Sequence, residues 1–335
     1  MKLPEKAKKM VAYLREQICI GAYHHGAKLP SIRDLQEQFS ISYTSAIRGI
    51  DYLCSAGLAE KRPRSGVYVK TPRGTGKSAN GYKIALFISG EKLCEIHSIY
   101  STVFLGIQRI AEENGYSLSM NCLPVSEATA DRIADIGQGA DGVIFLSEYD
   151  ASIKKLPVVV PSVGVCMHSS FSGRLSIVDI DPYLSAELAV EYFLGKKVDQ
   201  LLVVSKKDIP PAYRNREEVF ACLWRQSGGK LKRVNLSDGM KLCDRTGYFF
   251  PTSSLLQTCS ENILETTGKI LADQAVVLGI DGKNLINPEF HNAPAIALDW
   301  QIAGKTAIEE CLYRIKNPGS LPKRIYLPGR LAGKL

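Results

Sequence analysis

Residues 28–69 read KLPSIRDLQEQFSISYTSAIRGIDYLCSAGLAEKRPRSGVYV. The stretch holds two apolar-periodic runs, each opened by a serine, and then two short β-like runs around a turn. Ser31 follows a proline and has Asp34 three residues on, the spacing at which a hydroxyl and a carboxylate together cap a helix N-terminus. Ile32, Leu35 and Phe39 then share one face. After Ser40-Ile41, Ser42 is placed to cap a second helix, with Ala46, Ile50 and Leu53 on its inner face and Gly57 at its end. Tyr43, Thr44 and Arg48 lie on the opposite side. Upstream, Ala7, Val11, Leu14 and Ile18 recur at helical spacing, so a further helix precedes the pair and stops near Gly21. Downstream, Pro63-Arg64-Ser65-Gly66 separates two β-like runs, a hairpin with a basic tip. Two short helices, a tight turn and a polar start to the second are the parts of a helix-turn-helix, and the hairpin is the wing of a winged helix.

The charge follows the same division. The chain has 335 residues and a net charge of +8. Residues 1–80 hold 14 Lys+Arg against 6 Asp+Glu, whereas residues 81–335 hold 28 of each. A compact basic unit on a neutral one is the footprint of a polyanion binder. The second helix of the pair fits a DNA major groove, where its first residues reach base edges. Arg33, Arg62 and Arg64 can neutralise flanking phosphates. Each has a plainer reading: Arg33 can pair with Asp34 or Glu37, and Tyr43 can pack back on the core.

The same residues resemble the winged helix-turn-helix of the GntR family of bacterial transcription regulators, over roughly residues 4–70. The family form is close to L-P-S-E-R-E-L-A, then V-S-R-T-T-V-R-E-A-L, then L-x-x-x-G-L, a basic turn and G-x-x-V. The resemblance places Arg33, Ser42, Thr44 and Ser45 on positions that touch DNA, and Gly66 on the wing glycine. Tyr43 stands where an arginine is usual. Ile47 replaces a second arginine, with Arg48 one residue later. An arginine reading guanine is worth about 1–3 kcal/mol of discrimination, so the preferred bases differ from the family's usual ones.

Residues 71–78, TPRGTGKS, carry the closing half of a phosphate-binding loop. The full spacing needs glycine at position 71, which is threonine, and the loop should open a helix. Residues 78–89, SANGYKIALFIS, lead into a β-run and not a helix. The segment 71–81 reads instead as a flexible linker. Beyond it strands and helices alternate to the end of the chain. Expected strands are Ile84–Ser89, Tyr116–Cys122, Val143–Leu146, Val158–Val163, Gln200–Ser205, Gln274–Gly279 and Ala295–Leu298. Expected helices are Ile99–Asn114, Glu127–Ile136, Pro182–Leu194, Tyr213–Gln226 and Gln301–Ile315. This is an α/β pattern of parallel sheets covered on both faces, and its length suits two sheets. Ligands in such folds sit beyond the strands' carboxyl ends, often between lobes. No dinucleotide fingerprint, H-E-x-x-H or G-x-S-x-G is present, and no cofactor is expected.

Residues 82–335 resemble the effector domain of LacI/GalR-type regulators, a periplasmic-binding-protein-like fold of two lobes. The landmarks run in order: YKIALFIS as the opening strand, FLGIQRIAEENGYSL as the first helix, ADGVIFL, and IDPYLSAELAVEYFL as the helix crossing to the second lobe. RNREEVF resembles R-x-x-G-F, LGIDG resembles V-G-F-D-D, and ALDWQIAGKTAIEECL with RIYLPGRL resembles the closing helix and strand. The resemblance implies a small molecule, commonly a sugar, between the lobes. It suggests Ser89 and Tyr100 from the first lobe, with Arg216, Asp281 and Trp300 from the second, as effector-binding residues. Arginine and carboxylate can fix hydroxyls while an aromatic covers an apolar sugar face. Equally, Arg216 can pair with Glu217, Asp281 can cap a turn, and Trp300 can be core. Where the family usually carries F-x-x-N-D near the ligand, this chain has FPTSS, which puts Ser253 and Ser254 at the altered position.

The combination resembles the arabinose-repressor architecture: a reader over 1–70, a linker over 71–81 and a sensor over 82–335. The expected partners are double-stranded operator DNA, a sugar-like effector and a second copy of the chain. Two alternatives remain, a DNA reader tethered to an aminotransferase-like enzyme and a sensor that has lost its ligand and serves as a dimerisation scaffold. Nine scattered cysteines without a C-x-x-C pair suit a reducing cytoplasm, at the nucleoid for a DNA binder. Apolar stretches fall short of a membrane span and the N-terminus is not a signal peptide.

Overall fold

The computed structural model describes residues 4–19, 23, 26–55, 59–63, 65–69, 81–88, 99–124, 127, 129–137, 139–146, 160–167, 175–207, 209–235, 245–281 and 293–332. The expected linker, apart from Gly81, lies outside them, as do Gly57, Arg64, Ser89 and Gly282.

The N-terminal unit contains helices α1 (Glu5–Cys19), α2 (Ile32–Phe39) and α3 (Tyr43–Ser55) and an antiparallel hairpin of β1 (Ala59–Arg62) and β2 (Gly66–Val69). Its core joins Val11 and Leu14 of α1, Leu35 of α2, Ala46, Ile50 and Leu53 of α3, and Val69 of the hairpin. Apart from Ile18, whose side chain lies outside the described residues, the faces expected from periodicity are the faces that pack. The chain before α2 adds to the hairpin edge: Leu29 N–H donates to the Val67 carbonyl and Val69 N–H to the Ala27 carbonyl, each at 2.8 Å.

The larger unit has two six-stranded sheets. The first-lobe sheet runs β4 (Ser117–Cys122), β3 (Lys83–Ile88), β5 (Gly142–Leu146), β6 (Ser162–Val165), β7 (Ser176–Ile180), β13 (Arg324–Leu327), every neighbouring pair parallel. The second-lobe sheet runs β9 (Leu231–Asn235), β8 (Gln200–Ser205), β10 (Thr246–Phe250), β11 (Val276–Ile280), β12 (Ala295–Ala297), β14 (Arg330–Ala332), with β14 antiparallel. Composition explains the order. Strands β5, β7 and β10 are buried along their whole length, as central parallel strands covered on both faces must be. SLSMNC in β4 and LKRVN in β9 contain no buried residue, and both sit at sheet edges.

The helices of this unit are α4 (Ile99–Asn114), α5 (Ala130–Ile136), α6 (Pro182–Gly195), α7 (Pro211–Gln226), α8 (Ser253–Thr267), α9 (Leu271–Gln274) and α10 (Trp300–Lys316). The chain passes between lobes three times: from β7 into α6, from β12 into α10, and between β13 and β14. The first and third passages are bonded, Asp181 N–H donating to the Leu327 carbonyl at 2.8 Å. Asp181 also caps α6, its Oδ1 accepting from Tyr183 and Leu184 N–H. After the second passage, α10 packs in the first-lobe core, where Ala303, Ala307 and Cys311 meet Val103 and Ile107 of α4. The two helices touch backbone to backbone. A Cβ on Gly304 would stand 2.0 Å from the Val103 carbonyl oxygen, and one on Gly106 would stand 2.1 Å from that of Gln301.

Several expected boundaries shift. Of the apolar run Val158–Val163, the described residues from 160 onward give a strand at Ser162–Val165, and the helix expected from Glu127 starts at Ala130, where Thr129 caps it through the Arg132 N–H. Gln274 ends the short helix α9, so β11 starts at Val276 and not at Gln274. Strands β7, β9 and β10 and helices α8 and α9 were not expected.

Candidate functional site

Two places on the chain concentrate polar chemistry. The first is the outer surface of the N-terminal unit. Ser31 and Asp34 cap α2 reciprocally, Ser31 N–H donating to Asp34 Oδ2 at 2.9 Å and Asp34 N–H to Ser31 Oγ at 3.2 Å. Hydrogen bonding from Ser31 holds the Asp34 carboxyl below its usual pKa. Ser42 starts α3 in the same way, its Oγ accepting from Ser45 N–H at 3.2 Å and meeting Ser45 Oγ at 2.9 Å. Of the polar residues expected to reach bases, Tyr43 and Thr44 stand in solvent, and Ser45 is half-buried. Tyr43 is 59% exposed, which removes the alternative that it packs on the core. Arg33 is exposed and approaches Glu37 at 3.6 Å, so part of its plainer reading holds too. A surface pair of that kind is worth under about 1 kcal/mol and leaves the arginine free to exchange partners.

The hairpin is built to hold its tip. Arg62 pairs with Glu60 at 2.7 Å and lies over the Tyr68 ring at 4.3 Å, while Tyr68 Oη and Ser65 Oγ are 2.7 Å apart. Gly66 adopts φ 121°, a backbone conformation that calls for glycine, whereas the Lys28 side chain 2.9 Å from a Cβ there could move aside.

The second place is the seam between the lobes. Arg216, on α7 of the second lobe, is 1% exposed. Its Nη1 donates to Asp281 Oδ1 and, at 3.4 Å, to the Pro251 carbonyl, and its Nη2 donates to Asp179 Oδ1 at 3.0 Å. Asp281 directly follows β11 in the second lobe, whereas Asp179 belongs to β7 of the first-lobe sheet. One guanidinium therefore ties the lobes together. Arg216 Nε is buried without an acceptor, and the guanidinium lies 4.9 Å from the Tyr213 ring centroid. Asp281 has φ 106° and Cys166, just past the end of β6, has φ 56°. Non-glycine residues held in the left-handed region cost about 1–3 kcal/mol and gather where a site over-determines them.

The charges answer to burial and to one another. Burial works against the Arg216 cation, but Asp281 and Asp179 beside it hold its pKa above the ordinary value. Burial raises the Asp281 carboxyl; the Arg216 charge and hydrogen bond offset this only in part, and Asp179 adds to the rise. Burial likewise pushes up the Cys166 thiol and the Tyr213 hydroxyl. One cation thus serves two buried carboxylates.

Ser89 lies outside the described residues; the other expected effector residues fall around this seam, with one correction. Tyr100 on α4 is buried in the first-lobe core. Trp300 also belongs to the first-lobe core and not to the second lobe, because it opens α10 after the chain has crossed back. Its indole N–H donates to the Asp281 carbonyl at 2.8 Å, another bond between the lobes. Ser253 opens α8 fully buried and donates to the Ile280 carbonyl at 2.7 Å. Ser254 Oγ and the N-cap Thr252 Oγ1 are 2.8 Å apart. FPTSS is thus a strand end and helix cap. The alternative Arg216–Glu217 pair does not form: Glu217 binds Ser205 and Arg233. Sequence reasoning missed Asp179, Tyr213 and Cys166. A carboxylate amid the apolar run IVDI was the available signal, since buried charges need partners.

Residues 6–69 match the family model described as bacterial regulatory proteins, gntR family. The N-terminal unit is a GntR-family helix-turn-helix. Among curated proteins, none matches the chain. Solved structures do. The complex of the transcriptional regulator CelR with cellobiose is similar over 98% of this chain and 98% of its own, with TM-score 0.63 and 17% identity. A LacI family transcriptional regulator from Enterococcus faecalis with bound ribose covers 75% of this chain and 96% of its own, with TM-score 0.58 and 15% identity. A periplasmic binding protein/LacI transcriptional regulator from Alkaliphilus metalliredigens, complexed with D-xylulofuranose, covers 75% and 97%, with TM-score 0.57 and 15% identity. At these identities the likeness shows the fold: beyond the GntR-family unit the chain has the two-lobed, periplasmic-binding-protein-like fold of LacI-type regulators.

Proposed function

We propose that the chain is a ligand-responsive transcription regulator, in which a GntR-type reader over residues 1–70 is joined by a linker to a sugar sensor over 82–335. One observation carries the reading: a basic GntR-family helix-turn-helix shares a chain with a fold whose similar structures hold ribose, xylulofuranose and cellobiose. In the reader, Arg48 and Tyr43 face the bases, Thr44, Ser42 and Ser45 frame the start of α3, and Arg33, Arg62 and Arg64 neutralise phosphates around Gly66. In the sensor, Ser89, Tyr100, Arg216, Ser253, Asp281 and Trp300 surround or support the effector position at the seam. The chain acts as a repressor of carbohydrate-related genes in the cytoplasm. No described helix is long and apolar enough to cross a membrane. Two copies pair, because paired recognition helices need half-sites about one helical turn apart. Effector binding moves the lobes about the three passages and changes the spacing of the readers.

The internal pairing at the seam favours a second reading. Arg216 and Ser253 already have protein partners, as they would in a sensor that has become a scaffold. A thermal-shift screen of the full chain against neutral sugars, amino sugars, sugar acids and sugar phosphates separates the two. A saturable rise in melting temperature supports a sensor, because a ligand bound only to the native state must stabilise it. Silence across the library supports the scaffold.

A further inference from the structure

Arg216 is the one buried cation among the described residues, and four carboxylates are buried with it: Asp179, Glu217, Asp281 and Glu310. Glu217 has Arg233 and Glu310 has Lys323. Asp179 and Asp281 share Arg216. Among the described residues, the charged side chains at the lobe seam are therefore two carboxylates to one guanidinium, all buried. We infer that Asp179 sets the charge of the effector: the seam accepts an uncharged or cationic polyhydroxyl compound and turns away sugar phosphates and sugar acids. The inference rests on the sugar-sensor reading and narrows it.

Geometry supports the same conclusion. A phosphate or carboxylate ligand is gripped best by two parallel N–H groups of an arginine fork. Here Nη1 and Nη2 are each committed to a protein carboxylate. An anionic effector at the guanidinium would sit beside both carboxylates in a low-dielectric setting, where like charges repel strongly. What the guanidinium still offers among the described residues is Nε, buried without an acceptor, and the second N–H of Nη2. Hydroxyl oxygens suit both. The carboxylates, for their part, accept hydrogen bonds, so hydroxyl or ammonium donors complete the set. Asp179 is decisive because of its origin. It reaches from the first-lobe sheet to an arginine of the second lobe, so the same carboxylate fixes the charge of the seam and fastens it.

The test uses the full chain and ligand sets that share a ring and differ in one charged group: D-glucose, D-glucosamine, D-glucuronate and D-glucose 6-phosphate, with D-ribose and D-ribose 5-phosphate. Affinities come from calorimetric titration, for wild type, Asp179→Asn and Asp179→Glu. The expected ligand is a neutral or amino member, with its anionic counterpart at least about tenfold weaker, which is about 1.4 kcal/mol. In Asp179→Asn that ratio narrows by about tenfold, whereas Asp179→Glu retains it. A wild-type preference for the phosphate or carboxylate member overturns the inference and leaves the sensor reading standing. So does an unchanged ratio in an Asp179→Asn protein that still binds DNA. If neither variant folds, the wild-type ratio decides alone. If no member of any set binds, the sensor reading itself fails and takes the inference with it.

Discussion

Replacing Arg216 by methionine should unfold more of the protein than any other single change at the seam. The substitution keeps an unbranched, apolar stem and removes the charge. Asp179 and Asp281 are then left buried without a cation, each having lost its bond to the guanidinium. Breaking a buried pair from one side costs about 3–5 kcal/mol, chiefly because the surviving charge is uncompensated. Two carboxylates survive here, so the loss should lie at the upper end of that range. Combining Arg216→Met with Asp179→Asn and Asp281→Asn removes every charge. Asparagine also tolerates a positive φ, as at position 281, better than most residues. The triple variant should therefore recover most of the loss. Urea unfolding followed by tryptophan fluorescence reads both lobes, because Trp300 lies in the first-lobe core and Trp224 in a second-lobe core. The pH dependence gives a second signature. The folded-state pKa of Asp281 is already raised, so its contribution is full below the unfolded value and declines as pH rises through the folded one. Without Arg216 that pKa rises further, and the penalty should be largest at neutral pH and shrink as the solution is acidified. A single variant within about 1 kcal/mol of wild type, or a triple variant no better than the single, would refute this account of the seam.

Three further outcomes rest on the geometry. Gly304→Val drives a side chain into the Val103 backbone carbonyl and should cost at least the usual overpacking loss of about 1–3 kcal/mol; calorimetry showing an unchanged melting temperature would count against the backbone contact of α4 and α10. Arg33→Ala should lower the slope of log affinity against log salt by about one, whereas Arg48→Ala should also flatten base preference by about 1–3 kcal/mol; anisotropy titrations at several salt concentrations read both. Gly66→Ala strains a residue at φ 121° beside Lys28 and should weaken DNA binding without altering ligand-induced stabilisation; equal DNA affinity in the same titrations would count against a shaped wing.

The reader was legible because its signals are local. Ser31 with Asp34 and Ser42 with Ser45 are caps within one turn, and the faces of α1 to α3 come from spacing alone. Helix α4 was expected at its observed bounds, Ile99–Asn114. The seam was not legible, because it is assembled from β7, α7, β11 and α10, far apart in sequence. The resemblance to LacI/GalR-type regulators suggested the second lobe for Trp300, but α10 carries a small-residue seam that fits Gly106 and its neighbours on α4. Helix α8, SSLLQTCSENILETT, is rich in threonine and serine, which favour caps and turns, and packing decides its conformation where propensity does not. Asp179 could be seen as an oddity in an apolar run, but its partner could not be named until the lobes were folded against each other.

The most direct test of the central claim is the affinity of the full chain for DNA, measured with and without a stabilising sugar. The DNA is selected from a random pool by the protein itself, and the titration is run by anisotropy at fixed salt. The account predicts that saturating sugar changes the DNA affinity, and that saturating DNA changes the sugar affinity by the same factor. An affinity for DNA that is identical in both conditions, with the sugar demonstrably bound, would contradict it.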